Sequence, residues 1–276
     1  MLRTIELTMT FGITAMLLTG CQQPAEETRA AVVPTATEQG ASEQSNVGKH
    51  ASNTSTSNSK TLNTSTSNSQ TTKPKDVSKM NKALLAAAKA GNTADVLKHI
   101  AAGANINTRD GQGKTAVMLA TVGNHPALVT ALIKKGADLN IQDDRKDNPL
   151  LYAGAEGLLE IVKLTVQAGA DTTITNRYGG TALIPAADRG HVEVVKELLT
   201  NSDVDIDHVN NLGWTALLEA VLLGDGGKNH QRIVELLIEH DADVNLADGD
   251  GVTPLAHAKE RGYTEMENML IKAGAK

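Results

Sequence analysis

Five tetrapeptides recur along this chain at nearly constant spacing and limit its fold more than any single residue does. They are Thr115-Ala116-Val117-Met118, Asn148-Pro149-Leu150-Leu151, Thr181-Ala182-Leu183-Ile184, Thr215-Ala216-Leu217-Leu218 and Thr253-Pro254-Leu255-Ala256, stepping by 33, 33, 34 and 38 residues. Lys82, 33 residues before Thr115, opens a degenerate first copy, KALLAAAKAG. Self-similarity near 33 residues means stacked modules whose faces are buried only by their neighbours, and at least three are needed.

Each copy has the same physical grammar. A polar, glycine-bearing stretch such as Arg177-Tyr178-Gly179-Gly180 makes a projecting turn. Thr or Asn then caps a first helix by accepting a free backbone N–H, and Pro149 and Pro254 fit its first position. Small residues follow, then a left-handed stop: Gly91, Asn124, Gly157, Gly190, Gly224 and Gly262. The second helix carries apolar residues at helical spacing, Val194, Val195, Leu198 and Leu199 in one copy and Leu128, Val129, Leu132 and Ile133 in another. Exits such as Gly136-Ala137-Asp138-Leu139-Asn140 close the unit.

These tetrads, helix-one stops, IVELL-like second helices (Ile233 to Leu237) and GADVN-like exits resemble the ankyrin repeat over Lys79 to Lys276. The resemblance implies an all-α solenoid of about six helix-turn-helix units with projecting β-turns. The units run about 79–109, 110–142, 143–175, 176–209, 210–247 and 248–276. The chain departs from the pattern in places. Met118, Leu151, Ile184, Leu218 and Ala256 stand where the family places a histidine, so that residue's hydrogen bonds are absent and turn-to-turn rigidity is expected to be lower. Thr165 replaces a leucine and Gly154 a helix alanine, the latter costing ~1 kcal/mol; the third unit is therefore expected to be the weakest. Pro185 lies one turn into its helix, near the limit of tolerance. The fifth unit carries extra residues around Gly224 to Lys228, read as a loop extension between its helices.

The amino end is of another kind. Arg3, an apolar run from Leu7 to Leu18 and then Leu18-Thr19-Gly20-Cys21 read as an export signal over 1–20, too short for a span of about 20 apolar residues. LTGC resembles the bacterial lipoprotein signal box. That resemblance implies cleavage before Cys21, acylation of its thiol and anchoring outside the cytoplasm, on the outer membrane facing the periplasm in a double-membraned cell and on the outer face of the cell membrane otherwise. Two acyl chains hold stably where one does not. Residues 21–78, rich in Ser, Thr, Asn and Gln with NTSTSNS twice, offer too little apolar surface to offset ordering entropy and are expected to be a disordered tether. As flexible coil the tether would average ~40 Å end to end and stretch to ~190 Å.

Composition excludes several function classes. A net charge of −6 lacks the basic footprint of nucleic-acid binders. Cys21 is the one cysteine, so no disulfide framework exists. Gly111-Gln112-Gly113-Lys114-Thr115 contains GKT, but Thr108 stands where a phosphate loop needs its first glycine, and no strand precedes it. Asp241-Ala242-Asp243-Val244-Asn245 starts like a calcium loop yet has Leu246 and Val252 at the positions of the required glycine and glutamate. The eight histidines show no metal-ligand spacing, and no nucleophile–base motif appears. No cofactor, metal or enzymatic activity is expected.

In ankyrin-like stacks the projecting turns and the exposed side of the first helices form a concave groove for partners. Carried over position by position, the turn residues are Gln112, Lys114, Arg145, Arg177, Tyr178, Asn211, Leu212 and Trp214. The helix-one residues are Glu156, Asp188, Arg189, Leu222, Leu223, Glu260 and Arg261. Tyr178 and Trp214 are two of five aromatics in the chain, and with Arg177 they are of the types that dominate binding energy. Leu212, Leu222 and Leu223 would form an apolar patch beside them. The reading is a monomeric, membrane-anchored scaffold that binds an unidentified protein partner. A structural or protective envelope lipoprotein without a durable partner is the alternative.

Overall fold

A computed structural model of the chain describes residues 74–276. The expected signal segment 1–20, the Cys21 lipidation site and nearly all of the expected tether lie outside the described residues. The described part is all-α, with twelve helices in six antiparallel pairs and no strand beyond one isolated bridge between Arg109 and Thr115.

The first helices of the pairs are α1 (Pro74–Lys89), α3 (Ala116–Val122), α5 (Pro149–Ala155), α7 (Leu183–Asp188), α9 (Ala216–Leu222) and α11 (Pro254–Arg261). The second helices are α2 (Thr93–Ala101), α4 (Pro126–Lys134), α6 (Leu159–Gln167), α8 (Val192–Asn201), α10 (Lys228–Glu239) and α12 (Thr264–Lys272). Each first helix packs on the next first helix and each second on the next second, so the chain makes two parallel layers. Helices this short are unstable alone; burial of Leu128, Leu132, Ile161, Leu183, Leu198, Leu217 and Ile233 between the layers holds them. α1 begins at Pro74, ahead of the expected boundary at 79. A proline at the first position and Asp76 in the first turn suit a helix start, and Met80 packs against the core.

Thr115, Asn148, Thr215 and Thr253 cap their helices as expected, accepting from the N–H groups of Met118, Leu151, Leu218 and Ala256. Thr181 does not. In the other tetrads the residue after the tetrad donates its N–H to the cap carbonyl, as Leu119 does to Thr115 and Glu219 to Thr215, both at 2.9 Å. Pro185 occupies that place and has no N–H. α7 consequently starts at Leu183 without a side-chain cap, and the buried Thr181 hydroxyl has no partner.

One further expectation is corrected, and the surroundings of the extra loop and of the third unit's two unusual residues are defined. The left-handed stop of the fifth unit is Gly226 (φ 69°), not Gly224. Gly224 instead makes room, since a Cβ there would run into the Ala220 carbonyl. The extra loop is tied down: the buried His230 bridges the Asp225 carboxylate (2.9 Å) and the Asp188 carbonyl (2.8 Å), and the Tyr263 hydroxyl donates to the Gly224 carbonyl (3.0 Å). The third unit shows no packing defect at either doubtful residue. The Thr165 hydroxyl reaches the Ile161 and Val162 carbonyls at 2.9 Å, and Gly154 lets α5 meet the start of α7, where an added Cβ would lie 2.9 Å from the Ala182 carbonyl oxygen.

The turns are closed by other side chains in place of the missing histidines. One side-chain oxygen in each, from Asp110, Asp143, Asn176, Asn210 and Asp248, accepts two backbone N–H groups two and four residues on. Neighbouring turns are also joined, Asp144 N–H to the Gln112 carbonyl and Asn211 N–H to the Tyr178 carbonyl.

Candidate functional site

The turns of the third, fourth and fifth units and the first helices behind them enclose a cleft of about 390 Å³. It holds Arg145, Arg177, Tyr178, Asp188, Arg189, Leu212, Trp214, Leu223 and Glu156, so most of the residues carried over from the repeat pattern converge on one place. Others do not. Gln112 and Lys114 sit on the turn of the second unit, hydrogen-bonded to each other at 3.2 Å. Asn211 gives its backbone N–H to the Tyr178 carbonyl, while its side chain is exposed and does not line the cleft. Leu222 is half-buried and does not line the cleft, while Leu223 is half exposed and does. Glu260 and Arg261 are exposed on α11, also outside the cleft.

The upper wall is aromatic and apolar. Tyr178 is 54% exposed and Leu212 57% exposed, and both line the cleft. The Arg177 guanidinium lies 4.4 Å above the Tyr178 ring, within cation–π range. Trp214, half-buried, lines the cleft rather than the core.

Charges fill the rest. Arg189, the C-cap of α7, pairs with Glu156, the C-cap of α5, at 2.7 Å and also donates to the Ala155 carbonyl. Arg145 lies 3.7 Å from Asp147. Burial holds the Asp147 carboxyl above its ordinary range, reinforced by Asp143 and opposed by Arg145. Asp188 is likewise raised by burial, against the pull of Arg189.

The floor contains residues that the sequence reading missed: Tyr152, Pro185, Asn210 and above all Glu219. Glu219 on α9 is 6% exposed. Asn210 donates to its Oε1 at 2.8 Å. Burial pushes this carboxyl up to about 7, nearby Asp188 adding to the rise and the Asn210 bond opposing it. The signal was present in the repeat register. The residue following each tetrad is Leu119, Tyr152, Pro185, Glu219 and His257, so the carboxylate stands at a helix position that another unit fills with leucine.

Among the described residues no group of His, Cys, Asp and Glu is arranged to hold a metal ion, and no helix is long and apolar enough to cross a membrane. The cleft presents arginines, carboxyls and the exposed Tyr178 and Leu212 to whatever enters it.

Comparison with known proteins agrees with this geometry. The family model described as ankyrin repeats (3 copies) matches residues 83–176 and 150–248. The ankyrin repeat protein YahD of Escherichia coli is 44% identical over 191 residues, which are 69% of this chain and 95% of that protein. The solved ankyrin repeat domain from Acinetobacter baumannii is 52% identical with a TM-score of 0.67, covering 70% of this chain and 98% of its own. The ankyrin repeat domain of Bcl-3, a member of the IkappaB family, is 25% identical with a TM-score of 0.64, over 70% of this chain and 86% of its own.

Proposed function

The chain belongs to the ankyrin-repeat family, and from that premise we propose that it is a lipid-anchored scaffold outside the bacterial cytoplasm which binds one partner protein in the cleft of its third to fifth units. Ankyrin repeats generally mediate protein–protein interaction. The observation that carries the binding reading is the convergence of Arg177, Tyr178, Leu212, Trp214 and Leu223 on one concave surface backed by rigid turns. These side chains are pre-positioned, so a partner would not have to offset their ordering on binding. Their types match those that anchor interfaces.

The anchor rests on Leu18-Thr19-Gly20-Cys21 and on the lone cysteine. A Ser/Thr/Asn-rich segment between anchor and repeats would hold the cleft off the membrane while leaving it free to reorient. Replacing Cys21 by Ser should release the protein from the membrane fraction and abolish labelling with palmitate; retention in both would overturn the anchor.

The binding reading is tested by capture. Residues 74–276 are immobilised against envelope extract and medium of the source cells, beside a variant with Arg177, Tyr178 and Trp214 all changed to Ala and the same helicity and melting. A protein held by the parent and lost with the variant supports the reading. Equal capture by both moves the site elsewhere on the stack, and no capture counts against a stable partner.

A further inference from the structure

The cleft is lined by four carboxyls and three guanidiniums, so with all of them ionised it keeps one uncompensated negative charge. Arg189 is taken by Glu156, Arg145 by Asp147, and Arg177 lies on the Tyr178 ring. Among the described residues, Asp188 and Glu219 have no cation within ion-pair distance. Glu219 is more than nine-tenths buried yet lines the cleft, and only its Oε1 has a donor, from Asn210; Oε2 has none among the described residues. Oε2 is not among the sealed polar atoms and so is accessible, and a carboxylate largely out of water is favoured by a matching charge and hydrogen bonds. The indole of Trp214 lines the same space, and aromatic faces attract cations.

We propose that this floor takes the guanidinium of an arginine side chain projecting from the partner protein, bonded to Asp188 and Glu219 and covered by Trp214. This rests on the binding reading above and adds the chemistry of what enters. An ammonium would satisfy the charge, but a planar fork can serve two carboxyls and still lie flat against an indole. The volume exceeds one side chain, leaving room for its flanking backbone beneath Tyr178 and Leu212.

Trp214 is the single tryptophan of the chain, so intrinsic fluorescence reads this cleft directly. Residues 74–276 serve as the test protein, since the solved Acinetobacter domain shows that an array of this extent stands alone. The probes are the capped peptide Gly-Ser-Arg-Ser-Gly and its counterpart with citrulline, which keeps the shape and removes the charge. At pH 8 a saturable change with the arginine peptide is expected below about 10 mM, the range of a one-anchor ligand. The citrulline peptide should bind at least about tenfold more weakly, and Glu219→Gln and Asp188→Asn should each weaken arginine binding by a similar factor. Citrulline binding equal to arginine, equal binding by both carboxyl variants, or no saturable signal overturns the proposal. Glu219→Gln retains the shape of the parent and its fold is checked by melting. A captured partner that is lost with the Arg177, Tyr178 and Trp214 variant but kept by both carboxyl variants would sink the arginine assignment alone.

Discussion

The two faces of the stack obey different rules. On the rear, among the second helices and exits, the same device recurs. The side chains of Asn107, Asn140, Asp207 and Asn245 accept the backbone N–H groups of Asp138, Asp171, Asp243 and Lys276 in the following unit, at 2.9 to 3.0 Å. Where the third unit offers Thr173 instead, Thr172 bonds Asp203 at 2.7 Å and the junction is still closed. On the front, one helix register carries leucine, tyrosine, proline, glutamate and histidine in turn. Every rear junction bears the load of its neighbours, so each has to be made. The front needs only a rigid platform, which the Asx-closed turns supply. A difference between copies on the rear is therefore compensated, while on the front it is left as a cost: an uncapped Thr181, a proline inside α7, a carboxyl buried without a cation.

The cost at Glu219 sets the largest expected effect. Its carboxyl is raised from 4.5 to about 7 by burial and by Asp188. Between those values the folded chain holds a proton that the unfolded chain has released. The stability it contributes is fully present below about pH 4.5 and lost as pH rises through about 7, on the order of 3 kcal/mol in all. Glutamine resembles the protonated acid, so Glu219→Gln should match the parent near pH 4.5 and exceed it by about 2 to 3 kcal/mol at pH 8. Urea unfolding at the two pH values checks this. A variant no more stable than the parent at pH 8 would mean that the carboxylate is well solvated and that front and rear do not differ in this respect.

The fold was legible because solenoid stacking repeats its constraints: tetrads, stops and exits each appear several times, and a single degenerate copy does not hide the period. Tyr178, Trp214 and Arg177 were legible as turn residues by register alone. Glu219 was legible only as a carboxylate standing where another unit has leucine; its burial was not, since that depends on its neighbours in space, here Asn210 and Asp188, and no spacing rule reports them. The tie between the fifth unit's extra loop and α7 through His230 was hidden for the same reason: it joins residues 42 positions apart. Thr181 shows the opposite error. Its tetrad matches its siblings, and the failure of its cap comes from the proline just beyond.

Gly154 separates local propensity from packing. Within a helix, glycine costs about 1 kcal/mol against alanine, so propensity alone makes Gly154→Ala stabilising. The structure reverses the sign. A Cβ would lie 2.9 Å from the Ala182 carbonyl oxygen and 3.0 Å from its Cβ, and backbone cannot swing aside as a flexible side chain can. Overpacking of this kind costs about 1 to 3 kcal/mol, which against the propensity gain of about 1 kcal/mol leaves a net loss of up to about 2 kcal/mol in thermal or urea unfolding. A gain would show that α5 and α7 are looser than the rear layer behind them.

Pro185→Ala gives the smallest effect and the most direct test of whether the front tolerates strain. Alanine restores an N–H that can donate to the Thr181 carbonyl, about 1 kcal/mol for one backbone hydrogen bond, and lets Thr181 cap α7 as Thr115 and Thr215 cap α3 and α9, about 1 kcal/mol more. Against this, the unfolded chain regains freedom that proline denies it, about 0.4 to 1 kcal/mol. The balance is a stabilisation of about 1 kcal/mol, seen as a higher urea midpoint at unchanged slope. Pro185 also lines the cleft beside Asp188, so extending α7 by a regular first turn should shift that carboxyl and weaken capture of the partner. Gained stability with undiminished capture would make the proline a tolerated accident; gained stability with lost capture would make it part of how the cleft is shaped.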